Sequence, residues 1–175
     1  MASKFDTFEY GGHGVVESTL MLATTSGGHF YNMVADVDID NGSVMVLKPE
    51  NYVEGDLFKA EAPKITDKIV LAATPVKIYA EYTKQMQEES NFYNGANEPI
   101  RAYEVYPTDR FTLSDDAFDA DAVPVVGKYV VVKNGSYKLT VVDEEPKGTH
   151  GFVGYILKKA SNGNYVIFVK RNQEI

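Results

Sequence analysis

Tyr129-Val-Val-Val-Lys133, then Asn134-Gly135, then Ser136-Tyr-Lys-Leu-Thr-Val-Val142 is the stretch that decides the fold class. β-Branched and aromatic residues run up to an Asn-Gly pair and away from it again, and such side chains suit a pleated surface. Asn and Gly tolerate the positive φ of a type I′ turn, whose twist matches that of paired strands. A two-residue loop sets Val132 opposite Tyr137 and Val130 opposite Leu139. This segment reads as a β-hairpin.

The same signature recurs on either side. Val34-Ala-Asp-Val-Asp-Ile-Asp40 leads through Asn41-Gly42 into Ser43-Val-Met-Val-Leu-Lys48. A hairpin there places Ile39 opposite Val44 and Val37 opposite Val46, with Asp36, Asp38 and Asp40 on the solvent face. Val153-Gly-Tyr-Ile-Leu-Lys-Lys159 and Tyr165-Val-Ile-Phe-Val-Lys170 flank Asn162-Gly163. That turn sets Leu157 against Phe168 and Ile156 against Val169. Further strands are expected over residues 15–23, 30–34, 68–73, 76–82, 100–106 and 110–113. Helix is scarce. Tyr79, Tyr82, Met86 and Tyr93 have near-helical spacing, but 76–82 also alternates, so the reading is a strand followed by loop. Residues 83–99, with the fourth Asn-Gly, form a polar loop of a length that is usually functional.

The fold class is therefore all-β: an antiparallel, hairpin-rich sandwich or barrel. An extended N-terminal arm is expected over residues 1–12 and a β-rich domain over 13–120. A small four-stranded barrel-like module follows over 121–175. The boundary near 120 follows an acidic connector, residues 114–124, where the charge changes sign. Residues 1–120 carry 20 acids and 9 bases, net −11, and residues 121–175 carry 5 acids and 8 bases, net +3. The 175 residues can bury a substantial core, and 44% hydrophobic with 24% charged residues is a globular composition.

Several chemistries are excluded or unsupported. With no cysteine there is no disulfide, thiolate metal site or cysteine nucleophile. The first ten residues lack an apolar h-region and read as neither signal peptide nor anchor, and no apolar run is long enough to span a membrane. A net charge of −8 opposes binding to phosphate backbones, and the C-terminal bases alternate with apolar residues as a solvated sheet face does. The Asp36-x-Asp38-x-Asp40 spacing opens like a calcium loop, but Asn41 and Leu47 stand where an EF-hand needs Gly and Glu. His13 and His29 sit on glycine-rich turns and read as solvated turn residues. Together with His150 they form no metal-ligand spacing. Neither a phosphate-binding glycine loop nor a nucleophile elbow occurs. The expectation is a non-enzymatic protein with no cofactor.

Aromatics mark two candidate partner-binding elements. Phe5, Phe8 and Tyr10 lie in the arm, and Phe92 and Tyr93 lie in the long loop. Aromatic residues concentrate at interfaces.

The C-terminal half carries a resemblance. Ile100-Arg-Ala-Tyr-Glu-Val-Tyr-Pro-Thr-Asp-Arg-Phe-Thr-Leu-Ser114 pairs an aromatic strand with an Asp-x-Phe-x-Leu-Ser strand. Val126-Gly127, the valine-rich strand to Lys133, Asn134-Gly-Ser-Tyr-Lys-Leu139 and Phe152-Val-Gly-Tyr-Ile-Leu-Lys-Lys159 follow. Over residues 95–170 this pattern resembles the capsid decoration, or cement, proteins of tailed bacteriophages. The resemblance implies a virion structural protein, made in the host cytoplasm, that binds the outer surface of a phage capsid. Its partner would be the major capsid protein, with self-association on the shell, including as a trimer, and with neither nucleic acid nor membrane. The alternatives are a carbohydrate- or receptor-binding β-sandwich and a low-copy tail or head–tail connector subunit.

Overall fold

The computed structural model describes residues 11–25, 29–76 and 88–175. Within them the chain forms twelve strands, one short α-helix and three 3-10 turns (Pro49–Asn51, Glu89–Asn91 and Asp115–Ala117). The strands and the helix are β1 (Val16–Glu17), α1 (Leu22–Thr25), β2 (Phe30–Val34), β3 (Val44–Met45), β4 (Tyr52–Glu54), β5 (Leu57–Lys59) and β6 (Val70–Ala72). Then come β7 (Pro99–Glu104), β8 (Arg110–Leu113), β9 (Tyr129–Val132), β10 (Leu139–Val142), β11 (Phe152–Lys159) and β12 (Tyr165–Asn172). The first sheet has the order β1-β8-β12-β11-β9-β10 and the second β3-β6-β7-β2-β5-β4. All pairings are antiparallel except β2 with β5. The all-β, sandwich-like expectation holds.

One apolar cluster joins the two sheets. Phe111, Leu113, Val130, Val132, Phe152, Ile156 and Ile167 project from the first sheet, and Val44 and Leu71 meet them from the second. Each such side chain, fully buried, contributes about 1.5–3 kcal/mol. The other face of the second sheet buries Met33, Met45, Ile100 and Ala102 beneath its loops, with Tyr137 packed against them. Asn172 fastens the sheets at one end. Its carboxamide accepts from Ile69 N–H at 2.9 Å and donates to the Ile69 and Val105 carbonyls at 2.9 and 2.8 Å.

The structure corrects four readings. Residue 120 is not a domain boundary, because β1 and β8 precede it yet extend the sheet made by β9–β12. Those four C-terminal strands are thus part of a six-stranded sheet, and no separate barrel closes. Apolar residues on both sides of position 120 build one core, and the charge reversal marks surface only.

The Asn41-Gly42 hairpin does not form. β3 pairs with β6, and Ile39 bridges Asn94. Asn41 is buried and its side chain acts like a strand backbone, donating to Thr74 O at 2.9 Å and accepting from Thr74 N–H at 3.0 Å. Gly42 keeps the anticipated positive φ of +85°, but in the connection from β2 to β3 of the second sheet, where its N–H donates to Ala72 O at 2.8 Å.

The other two Asn-Gly hairpins form with different registers. Val132 pairs with Leu139 and Val130 with Val141. Asn134 Oδ1 accepts from Ile65 N–H and Gly135 N–H donates to Pro63 O, so this pair docks on residues 63–65 and lengthens the loop. In the last hairpin Tyr155 meets Phe168 and Ile156 meets Ile167. A register shift between Ile156 and Lys158 leaves Leu157 unpaired as a bulge residue.

The strand expected over 15–23 is only β1. Ser18 O then accepts from Met21 N–H at 3.0 Å and from Thr24 Oγ1 at 2.6 Å, which turns the chain into α1. The strand expected over 76–82 lies, apart from Val76, outside the described residues.

Candidate interaction surface

Two polar clusters stand out. In the first, His13 Nδ1 lies 2.7 Å from Asp40 Oδ1, and Lys138 Nζ lies 2.9 Å from Asp40 Oδ2. The His13 ring stacks on Tyr93 with centroids 4.9 Å apart. Gly14 makes the approach possible, since a Cβ there would sit 2.5 Å from Asn41 O. Burial pushes the Asp40 carboxyl up, but hydrogen bonds from His13 and Lys138 outweigh it and hold Asp40 below the usual carboxylate range.

The second cluster centres on Glu104, 8% exposed, at the end of β7. Lys68 pairs with its Oε1, while His29 Nδ1 at 2.9 Å and Tyr106 O–H at 2.6 Å donate to Oε2. Here too burial raises the carboxyl, and the bonds from Lys68, Tyr106 and His29 prevail and lower it. The bond to Glu104, helped by burial, pushes the Tyr106 phenol up to about 12. A cavity of about 160 Å³ adjoins this carboxylate, lined by Tyr31, Leu47 and Lys68. Glu104 is saturated with donors, and the cluster fastens β7 to the start of β2 and to the segment preceding β6. A cleft of about 550 Å³ beside Gly14, Asn41, Thr74 and Tyr103 carries Glu89 as the charged residue of its lining. No group of three or more His, Asp and Glu that could hold a metal ion occurs among the described residues. Nor is any described helix long and apolar enough to cross a membrane.

The outward face of the first sheet has a different character. Cross-strand register places Val142, Tyr129, Tyr155, Phe168 and Arg110 in one row across five strands. Tyr129 and Tyr155 meet edge-on at 5.3 Å, and Lys170 Nζ lies 5.3 Å from the centroid of Tyr129. A second row holds Lys158, Val166, Thr112 and Glu17. Between them lies a hollow of about 260 Å³ that Leu20, Arg110, Lys158 and Val166 help to line. The aromatic row is half-buried, while Leu20 is 57% exposed and Leu157 42% exposed. The far end of this face is closed by residues 143–150. Arg171 Nη2 donates to His150 O at 2.7 Å and Lys170 pairs with Glu145 at 2.7 Å.

The sequence-predicted partner residues are distributed otherwise. Phe5, Phe8 and Tyr10 lie outside the described residues. Phe92 is 6% exposed, packed inward where Asn94 bridges Ile39, so it offers a partner almost no surface. Tyr93 is half-buried against His13. The described part of the long loop, residues 88–99, is pinned to residues 35–39. Ala96 N–H donates to Asp38 Oδ1 at 2.8 Å and Asn97 N–H to Ala35 O at 2.6 Å. The carboxylates read as a solvated row are likewise engaged, Asp38 by that loop and Asp40 by His13 and Lys138. The outward row on the first sheet was within reach of the sequence, since Tyr129, Tyr155 and Phe168 alternate with core residues. It needs the true register to align.

No protein-family model, curated protein or solved structure matches this chain.

Proposed function

We propose that the protein is a non-enzymatic structural subunit that seats on a repeating protein surface, as a decoration protein seats on the outside of a phage capsid. The observation that carries the reading is the division of labour among its side chains. The polar clusters around Asp40 and Glu104 fasten loops and strands of the body. One broad sheet face, by contrast, presents a half-exposed aromatic row with cations at its rim. Aromatic residues and arginine are the types enriched where proteins dock. The likeness of residues 95–170 to capsid decoration proteins supports the same reading. Attachment to a lattice gives each copy avidity without a large individual contact.

Quantitative mass spectrometry of gradient-purified particles from the source tests it. Hundreds of copies per particle establish a lattice-wide role, a dozen or so indicate a vertex or tail position, and absence removes the virion reading. In the same particles, deletion of residues 2–10 tests the arm: loss of attachment with an unchanged melting temperature assigns Phe5, Phe8 and Tyr10 to the contact.

A further inference from the structure

We infer that the outward face of the first sheet docks a carboxylate-bearing protein surface, with apolar side chains of the partner entering the hollow between Leu20 and Val166. The inference rests on the reading of this face as a docking surface, and its test separates the two. Three observations carry it.

The first is charge. The protein is net −8, so its surface as a whole repels acidic partners, yet this hollow is flanked by the exposed Arg110 and Lys158. Neither forms an ion pair with a described residue. Glu17 is the acid on the same lining, too far from either cation for an ion pair. Two cations against one acid, on an acidic body, leave a local positive site that complements a partner's carboxylates and steers them in.

The second is apolar content. Leu20 is 57% exposed at the rim, with Val166 on the floor and Phe168 in the neighbouring row. An aliphatic hollow beside cations suits a protein segment in which an apolar residue stands next to Asp or Glu.

The third discriminates against other polyanions. Lys170 on β12 and Lys128 just before β9 are already paired with Glu145 and Asp143, at 2.7 and 2.6 Å. Those carboxylates oppose a continuous phosphate or sulfate backbone, which needs a track of free cations. Sugar rings need open aromatic faces, and here Tyr129 and Tyr155 pack edge-on while Lys170 lies against the Tyr129 ring.

The test uses the full chain with two probes. Binding to a random copolymer of glutamate and tyrosine is measured for wild type, for Arg110→Glu with Lys158→Glu, and for the control Lys59→Glu with Lys64→Glu. The control makes the same charge change at exposed positions away from this face. A loss of affinity of about tenfold or more in the first variant alone is the expected result, since reversing rim charges acts on encounter and on complementarity together. Equal binding by all three proteins, or no wild-type binding, overturns the inference. So does heparin binding that is as tight and depends on the same two residues. Wild-type self-association in sedimentation that the first variant abolishes would assign the face to a second copy and overturn it as well. On source particles, Leu20→Asp should abolish attachment together with Arg110→Glu/Lys158→Glu. If Leu20→Asp detaches the protein and the charge variant does not, the docking face stands and its acidic partner falls. If wild type does not attach at all, the capsid reading falls while the copolymer result still decides this one.

Discussion

Asn172 makes three hydrogen bonds from a side chain 6% exposed, and all of them go to backbone groups of the second sheet and its flanks. Truncation to alanine leaves the Ile69 N–H and two carbonyls facing a dry gap, and each unsatisfied buried group costs about 1–3 kcal/mol. Relaxation recovers part of that, so Asn172→Ala should lower the unfolding free energy by about 2–4 kcal/mol in urea denaturation. Asn172→Asp should be comparably damaging, because it keeps the acceptor but replaces the donor with a second acceptor aimed at two carbonyls. A second residue has a spectroscopic signature. Tyr106 donates to the Glu104 carboxylate and is pushed up to about 12. Deprotonation would set a phenolate against that carboxylate, so the folded protein holds the proton. Tyr106→Phe should therefore remove one phenol from the highest-pH step of the ultraviolet titration and leave the steps near the ordinary tyrosine value unchanged.

Gly42 and Gly163 make a matched pair for the elements they serve. Both adopt positive φ, +85° and +89°, so both should resent a Cβ by about 1 kcal/mol on backbone grounds. At Gly163, on the tip of the β11–β12 hairpin, nothing lies within 4 Å. At Gly42 a Cβ would meet Leu113 Cδ2 at 2.9 Å and Ala117 Cβ at 3.1 Å, both inside the core. Gly163→Ala should cost about 1 kcal/mol and Gly42→Ala a further 1–3 kcal/mol from overpacking, read from denaturation midpoints. Equal costs would place Gly42 at a loop tip, where the sequence alone puts it.

That contrast shows what was legible and why. Asn-Gly reports a positive φ, which holds at positions 42, 135 and 163, and a hairpin, which forms at 135 and 163 only. It carries no information about what the Asn side chain bonds. Asn41 spends its amide on Thr74 and Asn134 its oxygen on Ile65, partners 33 and 69 residues away, and those long-range bonds set the pairing and the register. β4 and β5 were missed because Tyr52-Val-Glu54 and Leu57-Phe-Lys59 are three residues each, too short for alternation to register. At the candidate surface, Tyr129, Tyr155 and Phe168 alternate with core residues, but the hairpin reading set Phe168 against Leu157 and did not draw the three together. Only the sheet order brings them beside Arg110, whose strand is encoded before residue 120.

At the scale of the whole molecule, two carboxylates withdrawn from solvent, the half-buried Asp40 and the buried Glu104, decide how the fold responds to acid. Asp40 ties the N-terminal segment to the β9–β10 connection, and Glu104 ties β7 to His29 and Lys68. Burial works against both, but their hydrogen-bond donors prevail and both are held below their ordinary values. Glu61 and Asp119 are lowered too, chiefly by Lys48 and Lys133, but Glu61 and Lys133 stand open to solvent, and screening leaves these pairs little weight. The sign follows from linkage. A carboxylate lowered in the fold binds fewer protons there than in the unfolded chain. Its contribution is complete above the unfolded value, about 4, and is lost as pH falls through the lower folded value. The melting temperature should therefore decline only slightly from neutral pH to about 5, where His150, held below its ordinary value by burial and by Arg171, takes up its proton on unfolding, and decline steeply below about 4. Glu104→Gln should shift the curve in a way that surface neutralisation does not. It removes the charge that Lys68 and His29 face, lowering the melting temperature at neutral pH, and it removes one of the protonation events that unfold the protein, so the acid decline becomes shallower. Calorimetric scans of wild type, Glu104→Gln and Glu145→Gln across this range decide the matter. Glu145 is lowered as well, chiefly by its hydrogen bond from Lys170, but the pair lies open to solvent, where screening leaves it little weight, so Glu145→Gln should move the curve little. If Glu145→Gln flattens the decline as much as Glu104→Gln does, the acid response belongs to overall charge and not to the carboxylates that fasten the sheets.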